Sequence, residues 1–295
     1  MKGLFKKTWG YFLTRLMRLS GEWRVFMVLI LLFIVLREYT GSIRVMCRMT
    51  GENISPYFFP FLLGDYIVAT GLSKILILLI FIIIVCNVSC KQEEIYYYAI
   101  RTGYRAMVYG DILFIGILAL GYCMYVYLCS ILCFLPYVTI QGDWGRIIGT
   151  LAYTNAAGQY GYMFVIPTGI MEMYSAPNGV LLSFVLLFAG CFMLGLTVYM
   201  LNLFFQSKYY GIGISCFLIL LSPIVSYSRI PGLYWFSPMS WISAENLYPV
   251  QNTQYPSVSY AAGMLIAIIC CITSVLSIHC RKLEIGGVQN GWTAD

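Results

Sequence analysis

The chain has 295 residues, of which 60% are hydrophobic and 10% are charged. So few charged residues exclude a soluble globular protein of this length, because its surface would need many more. The net charge of +6 does not require a nucleic-acid partner, since anionic membrane lipid also attracts an excess of Lys and Arg. The composition therefore predicts a membrane protein that contacts lipid and no nucleic acid.

Residues 1–20 predict an amphipathic helix that lies along the membrane surface. Its apolar residues share one face: Leu4, Phe5, Trp9, Phe12, Leu13 and Leu16. Its polar face carries Lys7, Thr14, Arg15 and Arg18. A helix of this kind places its apolar side at the acyl boundary and its basic side toward head groups. Either a simple anchor or a mechanical role fits this pattern.

Six apolar stretches with few charges at their centres follow, and they predict an all-α domain over residues 1–295. They cover residues 19–36, 72–90, 110–135, 180–203, 211–227 and 260–280. Each comes close to the length of about 20 residues that a helix needs to cross a bilayer. The first is the weakest, because its purely apolar part is only 25–36. We therefore expect six transmembrane helices.

The distribution of basic residues predicts the orientation. Six of the 18 Lys and Arg residues fall on one side of the predicted spans: Arg37, Arg44, Arg48, Lys74, Arg146 and Arg229. The remaining twelve fall on the other side, with both chain termini. Because Lys and Arg concentrate in cytoplasmic loops, we expect both termini to be cytoplasmic and the protein to be multi-pass.

Two long outer segments, 136–179 and 229–259, are rich in aromatic residues. Trp144, Trp235 and Trp241 predict loops at the membrane interface, where indole rings accumulate. The fifth span carries features of a hinge or of a transport pathway, namely Gly211, Gly213, Ser215 and Pro223. Pro223 should remove one backbone hydrogen bond there and kink the helix.

Catalytic chemistry is missing from the sequence. There is no GxxxxGK[ST] loop for a nucleotide phosphate, and the single histidine, His279, has no evident chemical partner. The pair Glu93–Glu94 begins the EExxxR pattern of a family of membrane proteases, but position 98 is Tyr. Cysteine pairs one helical turn apart, 86–90 and 129–133, suit helix packing better than a Zn²⁺ site. We predict no catalytic, cofactor-binding or metal-ligating residue and no enzyme activity in this chain.

The energy source for any uphill transport must also lie elsewhere. Ion-coupled transporters generally place ionisable residues within the membrane, whereas Lys74 and Asp111 lie near predicted span ends. A separate subunit would then have to supply the energy. The cytoplasmic stretch 91–111 mixes Glu93, Glu94, Arg101 and Arg105 with tyrosines. It suits a helix that docks in a groove of a soluble partner, although an ordinary basic loop fits the same composition.

The stretch from Asn87 resembles the permease subunits of type-2 ABC exporters, especially short Gram-positive forms. These carry an asparagine near the end of span two, followed by Y-x-x-x-R-[ST]-G-x-R. The matching residues here are Asn87, Tyr97, Arg101, Thr102, Gly103 and Arg105. Further matches are DWGRIIGTLAYTNAAG at 143–158, Asn202, and WFSPMSWIS at 235–243. The resemblance covers most of the chain beyond span one.

The resemblance implies a six-span permease of the bacterial plasma membrane that pairs with ABC ATP-binding subunits. ATP and Mg²⁺ would bind only in those subunits. The second permease would be another copy of this chain or a paralogous one. Glu93, Glu94, Tyr97, Arg101 and Arg105 would couple the permease to the ATPase. Spans two and five would line the pathway.

Three classes of function stay open from the sequence. An exporter of a hydrophobic or amphipathic peptide, lipid or drug is favoured by the resemblance. It is also favoured by the lack of ionisable residues at the centres of the predicted spans, where an ion-coupled transporter would need them. An ATP-independent channel or carrier would share the six spans. A membrane sensor or immunity protein would bind an antimicrobial peptide through the outer loops.

Overall fold

The computed structural model describes residues 2–64, 71–88, 103–140, 142–154, 166–205, 207–228, 230–248 and 254–290. Its elements over these ranges are α-helices and short 3-10 turns, together with two isolated β-bridges. Four of the helices are long and apolar enough to cross a membrane. The protein is therefore an all-helical, multi-pass membrane protein.

The N-terminal part consists of three consecutive helices. Helix α1 covers Lys2–Gly21 and α2 covers Trp23–Tyr39. They meet at Glu22, whose backbone is extended, and their axes differ by 63°. Helix α3, Gly41–Thr50, ends at Gly51, whose φ of 69° is a left-handed conformation that glycine adopts without a steric penalty.

The middle of the chain contains two longer apolar helices and two short ones. A 3-10 turn at Phe59–Leu63 precedes α4, Gly71–Val88, and α5 covers Tyr104–Leu132. The short helices α6, Arg146–Tyr153, and α7, Thr168–Met173, lie in the segment between α5 and the next long helix.

The C-terminal part contains three long helices. Helix α8 covers Ala176–Phe205, α9 covers Lys208–Ser228 and α10 covers Val258–Asn290. Between α9 and α10 the chain makes three 3-10 turns, at Pro231–Phe236, Ser240–Ile242 and Ala244–Asn246. We call the segment 231–247 the outer hairpin, because it belongs to the predicted outer segment 229–259.

The prediction of six spans is confirmed only in its coarser form. Helices α5, α8, α9 and α10 each qualify as a span, and the bent pair α1–α2 raises the number to five. The first predicted span, 19–36, contains the break at Glu22, after which α2 begins at Trp23. In the described residues, the apolar part of α4, Leu72–Cys86, falls short of a full crossing.

Helix α8 lies at the centre of the bundle and contacts α4, α5, α9 and α10. Its sequence is apolar all round, which is typical of a core helix or of a membrane span. Glycines let its neighbours come close. A β-carbon on Gly195 would lie 2.5 Å from Cγ2 of Ile115 on α5, and one on Gly190 would overlap Ile242 of the outer hairpin.

Helix α9 approaches α8 at Gly211. A β-carbon there would overlap Oδ1 of Asn202 and lie 2.8 Å from the carbonyl oxygen of Val198, both on α8. A β-carbon on Gly213, half a turn away, would meet no atom within 4 Å. Only the first of these two glycines is therefore required by packing.

We predict that Gly211→Ala destabilises the protein by about 1–3 kcal/mol, because the added methyl group must displace backbone of α8. Gly213→Ala should be neutral or slightly stabilising, since Ala favours helix by up to about 1 kcal/mol. Thermal unfolding of both variants in the same detergent measures the difference. Equal melting temperatures would contradict the close approach of α9 and α8 at Gly211.

Candidate functional site

Most of the predicted coupling residues lie outside the described part of the chain. Glu93, Glu94, Tyr97 and Arg101 fall in the range 89–102, outside the described residues. Arg105 is described, and it lies in the first turn of α5 with its side chain exposed. After the gap at 89–102, the described structure resumes at Gly103, near the C-terminal end of the predicted coupling segment.

The four predicted hinge residues have different surroundings. Gly211 is packed against α8, whereas Gly213 is exposed. The Ser215 hydroxyl is buried and forms no hydrogen bond with another described residue. Helix α9 continues through Pro223 to Ser228. Gly211 and Ser215, one turn apart, are therefore buried on the same side of α9, whereas Gly213 lies on another side.

Two of the three predicted interface tryptophans point into the protein. The Trp144 ring is buried, contacts Gly179 at the start of α8, and donates a hydrogen bond of 3.1 Å to the Tyr174 carbonyl. Trp241 is buried as well and donates to the Tyr234 carbonyl at 2.7 Å. The ring of Trp235 is only partly buried and packs on Tyr260 of α10. The rings of Trp144 and Trp241 hold the outer segments on the bundle, while an interfacial position of these loops stays a prediction.

The structure brings together two charged side chains that the sequence places 96 residues apart. Arg15 of α1 and Asp111 of α5 form a salt bridge of 3.0 Å, with only 5% and 3% of the residues exposed. Both Nε and Nη2 of Arg15 donate to Oδ1 of Asp111. The Tyr11 hydroxyl donates to the same carboxylate at 3.2 Å. We call Tyr11, Arg15 and Asp111 the α1–α5 joint.

The surroundings of the α1–α5 joint fit it closely. A β-carbon on Gly110 would lie 2.6 Å from Cδ1 of Tyr11, so a glycine at this position lets α1 reach α5. The guanidinium carbon of Arg15 lies 5.8 Å from the centre of the Phe114 ring, a distance at which a cation and an aromatic face attract. Tyr199 of α8 lines the same small cavity as Arg15 and Asp111. Three helices therefore meet at the ion pair.

The position of Arg15 corrects the expected helical face. The sequence analysis places Arg15 on the polar side of α1, whereas the structure buries it with Tyr11 and Phe12. Phe5, Trp9 and Met17 are exposed instead. The reason is the charge on Asp111, which cannot enter an apolar bundle without a partner. Helix α1 turns its arginine to that carboxylate and leaves apolar side chains for the membrane.

A second buried charge lies at the other end of the bundle. Lys74, in the first turns of α4, is 1% exposed. Its ammonium group donates hydrogen bonds of 2.8 Å to Ser222 of α9 and to Ser243 of the outer hairpin. Ser240 lies within 3.3 Å of Ser222 and adds a further hydroxyl. We call Lys74, Ser222, Ser240 and Ser243 the lysine–serine network.

Sequence reasoning located Lys74 and Asp111 near span ends but missed their burial and their contacts. A charged residue beside an apolar run signals that some partner must satisfy it, because an insertion cost of about 2.5–3.5 kcal/mol would otherwise remain. The identity of that partner depends on packing between distant segments. Neither Arg15 nor the three serines could be chosen from spacing alone.

Metal-ligating clusters, the single histidine and the buried cysteine give weaker indications of a functional site. Among the described residues, no group of three or more His, Cys, Asp or Glu side chains is placed to hold a metal ion. His279 of α10 packs its ring on Phe204, with centroids 4.4 Å apart. Cys47 is buried in α3, and this burial raises the pKa of its thiol to about 11. It therefore stays protonated at neutral pH.

Comparison of the chain with protein-family models, with curated proteins and with solved structures finds no match. The α1–α5 joint and the lysine–serine network therefore have to be interpreted from their own geometry.

We predict that Asp111→Ala costs about 3–5 kcal/mol, because it leaves the buried guanidinium of Arg15 without its carboxylate. The double variant Arg15→Met with Asp111→Leu should recover most of this loss, since no charge then stays buried at the α1–α5 joint. The exposed pair Arg146–Glu52, with a 3.1 Å contact, provides the control: Glu52→Ala should cost at most about 1 kcal/mol.

Thermal unfolding of the four proteins in one detergent measures these differences. If the double variant is no more stable than Asp111→Ala, the buried charge is not the source of the loss.

Proposed function

We propose that this protein is the transmembrane permease subunit of an ATP-binding-cassette exporter and that a separate ATPase subunit supplies the energy. The α1–α5 joint is the observation that carries the proposal. It fixes the start of α5, whose first residues from Tyr104 onward form the last part of the charged stretch 91–111, to a second helix and to the bundle. The resemblance of residues 87–105 to exporter permeases supports the same conclusion.

The joint lies close to the segment that would receive the force. Asp111 is six residues after Arg105, which corresponds to about 9 Å along α5. A displacement of residues 91–105 would move Asp111 by a similar amount, because an α-helix is stiff over so short a distance and α5 would not bend between them. The buried ion pair would then carry α1 along with α5, and the contact of Ile115 with Gly195 would carry the motion to α8.

Rocking of packed helices is a well-known route to alternating access. In the proposed permease, Glu93, Glu94, Tyr97, Arg101 and Arg105 dock on the ATPase, and α4 and α9 line the pathway. One face of α9 packs on α8 and α4, while Phe217, Leu220 and Ile224 on another face are exposed. A second permease, either another copy or a paralogue, would cover that face. An apolar surface of this kind suits a hydrophobic or amphipathic substrate.

An ion-coupled carrier is the second candidate, because two ionisable residues are buried in the bundle. Lys74 and Asp111 are the groups that such a carrier would titrate. Their positions favour the exporter. Asp111 lies about 24 Å along α5 from Tyr127, whose ring contacts Phe59 beside the lysine–serine network. The two charges therefore sit at opposite ends of the bundle, each in its own hydrogen bonds.

The main test is assembly with the cognate ATP-binding subunit. We predict that Arg101→Glu with Arg105→Glu lowers recovery of the complex by more than about tenfold, because charge reversal at a docking surface turns attraction into repulsion. Affinity purification through a tag on the ATPase, followed by quantification of this chain, measures the recovery.

Arg24→Glu is the matched control, since Arg24 is also exposed but lies in α2. It should leave recovery unchanged. Transport by the purified chain alone in vesicles, driven by a proton gradient and lost in Asp111→Asn, would overturn the exporter and support the carrier.

A further inference from the structure

A groove opens between α5 and α8 at the end of the bundle where α5 ends and α8 begins. Met124 and Tyr127 of α5 form one wall, and Val180 and Phe184 of α8 form the other. Tyr57, which follows α3, also lines the groove. The cavity has a volume of about 330 Å³, which lies within the range of about 300–1,000 Å³ that is usual for small-molecule sites.

The base of the groove is held in place by packed aromatic rings. Phe59 is completely buried. Its ring meets the Tyr127 ring edge to face with centroids 5.7 Å apart, and it lies 6.5 Å from the Phe184 ring. Such aromatic pairs fix the side chains of both walls. The groove is therefore formed before any ligand enters it.

Two phenols give the groove a polar rim. The described lining residues carry no charge, and the hydroxyls of Tyr57 and Tyr127 are its hydrogen-bond donors. Neither hydroxyl donates to another described residue. Tyr127 lies five residues before the end of α5, about 8 Å along the helix, a depth at which tyrosines commonly sit near the lipid head groups.

The surface around the groove indicates where its ligand comes from. Leu120 and Leu128 of α5 and Val185 of α8 are exposed and apolar, and so is Leu181, which itself lines the groove. On two helices able to cross a membrane, such side chains face lipid. The groove is continuous with this surface, so its occupant enters from the bilayer.

We propose that the groove binds one acyl chain of a membrane glycerophospholipid. The chain lies between Met124 and Val180, and the Tyr57 and Tyr127 hydroxyls donate hydrogen bonds to its ester carbonyl. The lining excludes a charged head group from the groove itself, so the head group stays at the rim. This binding site is independent of any ATPase subunit.

The test uses the full chain in bilayers that contain phosphatidylcholine with a photoactivatable diazirine in one acyl chain. After irradiation, mass spectrometry measures the yield of lipid adducts on the peptides that contain residues 124–127 and 180–184. Met124→Trp should lower this yield by more than about tenfold, because the indole takes the place of several buried methylene groups. Tyr127→Phe should lower it by about two- to tenfold, since one hydrogen bond is lost.

Leu128→Trp is the matched control. Leu128 lies one turn from Met124 on the same helix and is 51% exposed, against 49% for Met124, but it does not line the groove. The control should label like the wild type. If it loses as much label as Met124→Trp, or if label spreads evenly over the exposed faces of α5 and α8, the lipid belongs to the general annulus and the proposal fails. Val180→Phe repeats the test from the opposite wall, with unfolding temperatures checked for each variant.

Discussion

Close contact with α8 is the constraint on which the rest of the structure depends. In a bilayer, apolar side chains gain little by leaving lipid for one another, so helices associate through tight packing and buried hydrogen bonds. Here α5 meets α8 at Gly195, the outer hairpin meets it at Gly190, and α9 meets it at Gly211. A larger side chain at any of these positions would push a neighbour away. The helices are therefore free to move as packed units but not to separate one by one.

Each end of the bundle adds a buried charge to this packing. Asp111 binds Arg15 at one end, and Lys74 binds Ser222 and Ser243 at the other. Both sites connect elements that are distant in sequence, and both would be costly if one partner were lost. Because the contacts are directional, they fix which helices stay together, whereas apolar packing alone would allow neighbouring registers. Polar contacts thus determine which helices of this apolar bundle pair and in which register.

The sequence predicted the helices far better than it predicted these contacts. Apolar length located five of the long helices, and the pattern of residues 1–20 located α1. The break at Glu22 was missed, although Ser20 and Gly21 directly before it form a dipeptide that commonly marks the end of a helix. Trp144 and Trp241 lie in aromatic-rich segments, which is typical of a membrane interface. Their indole N–H groups nevertheless donate hydrogen bonds to backbone carbonyls of the protein. Arg15 was assigned to the polar face because a helical wheel contains no information about Asp111, 96 residues away.

The two polar sites resist separation to a similar degree, although through different contacts. Separating Arg15 from Asp111 would leave two buried ions, at a cost of about 3–5 kcal/mol for one missing partner. Two hydrogen bonds from Lys74 end on the hydroxyls of Ser222 and Ser243, and each bond to a charged group contributes about 1.5–3 kcal/mol. Coupling free energies between sites in proteins are typically about 1–3 kcal/mol, which is less than the cost of breaking either site. Both sites should therefore stay intact when the bundle rearranges, so that α1 moves with α5, and α4 moves with α9 and the outer hairpin.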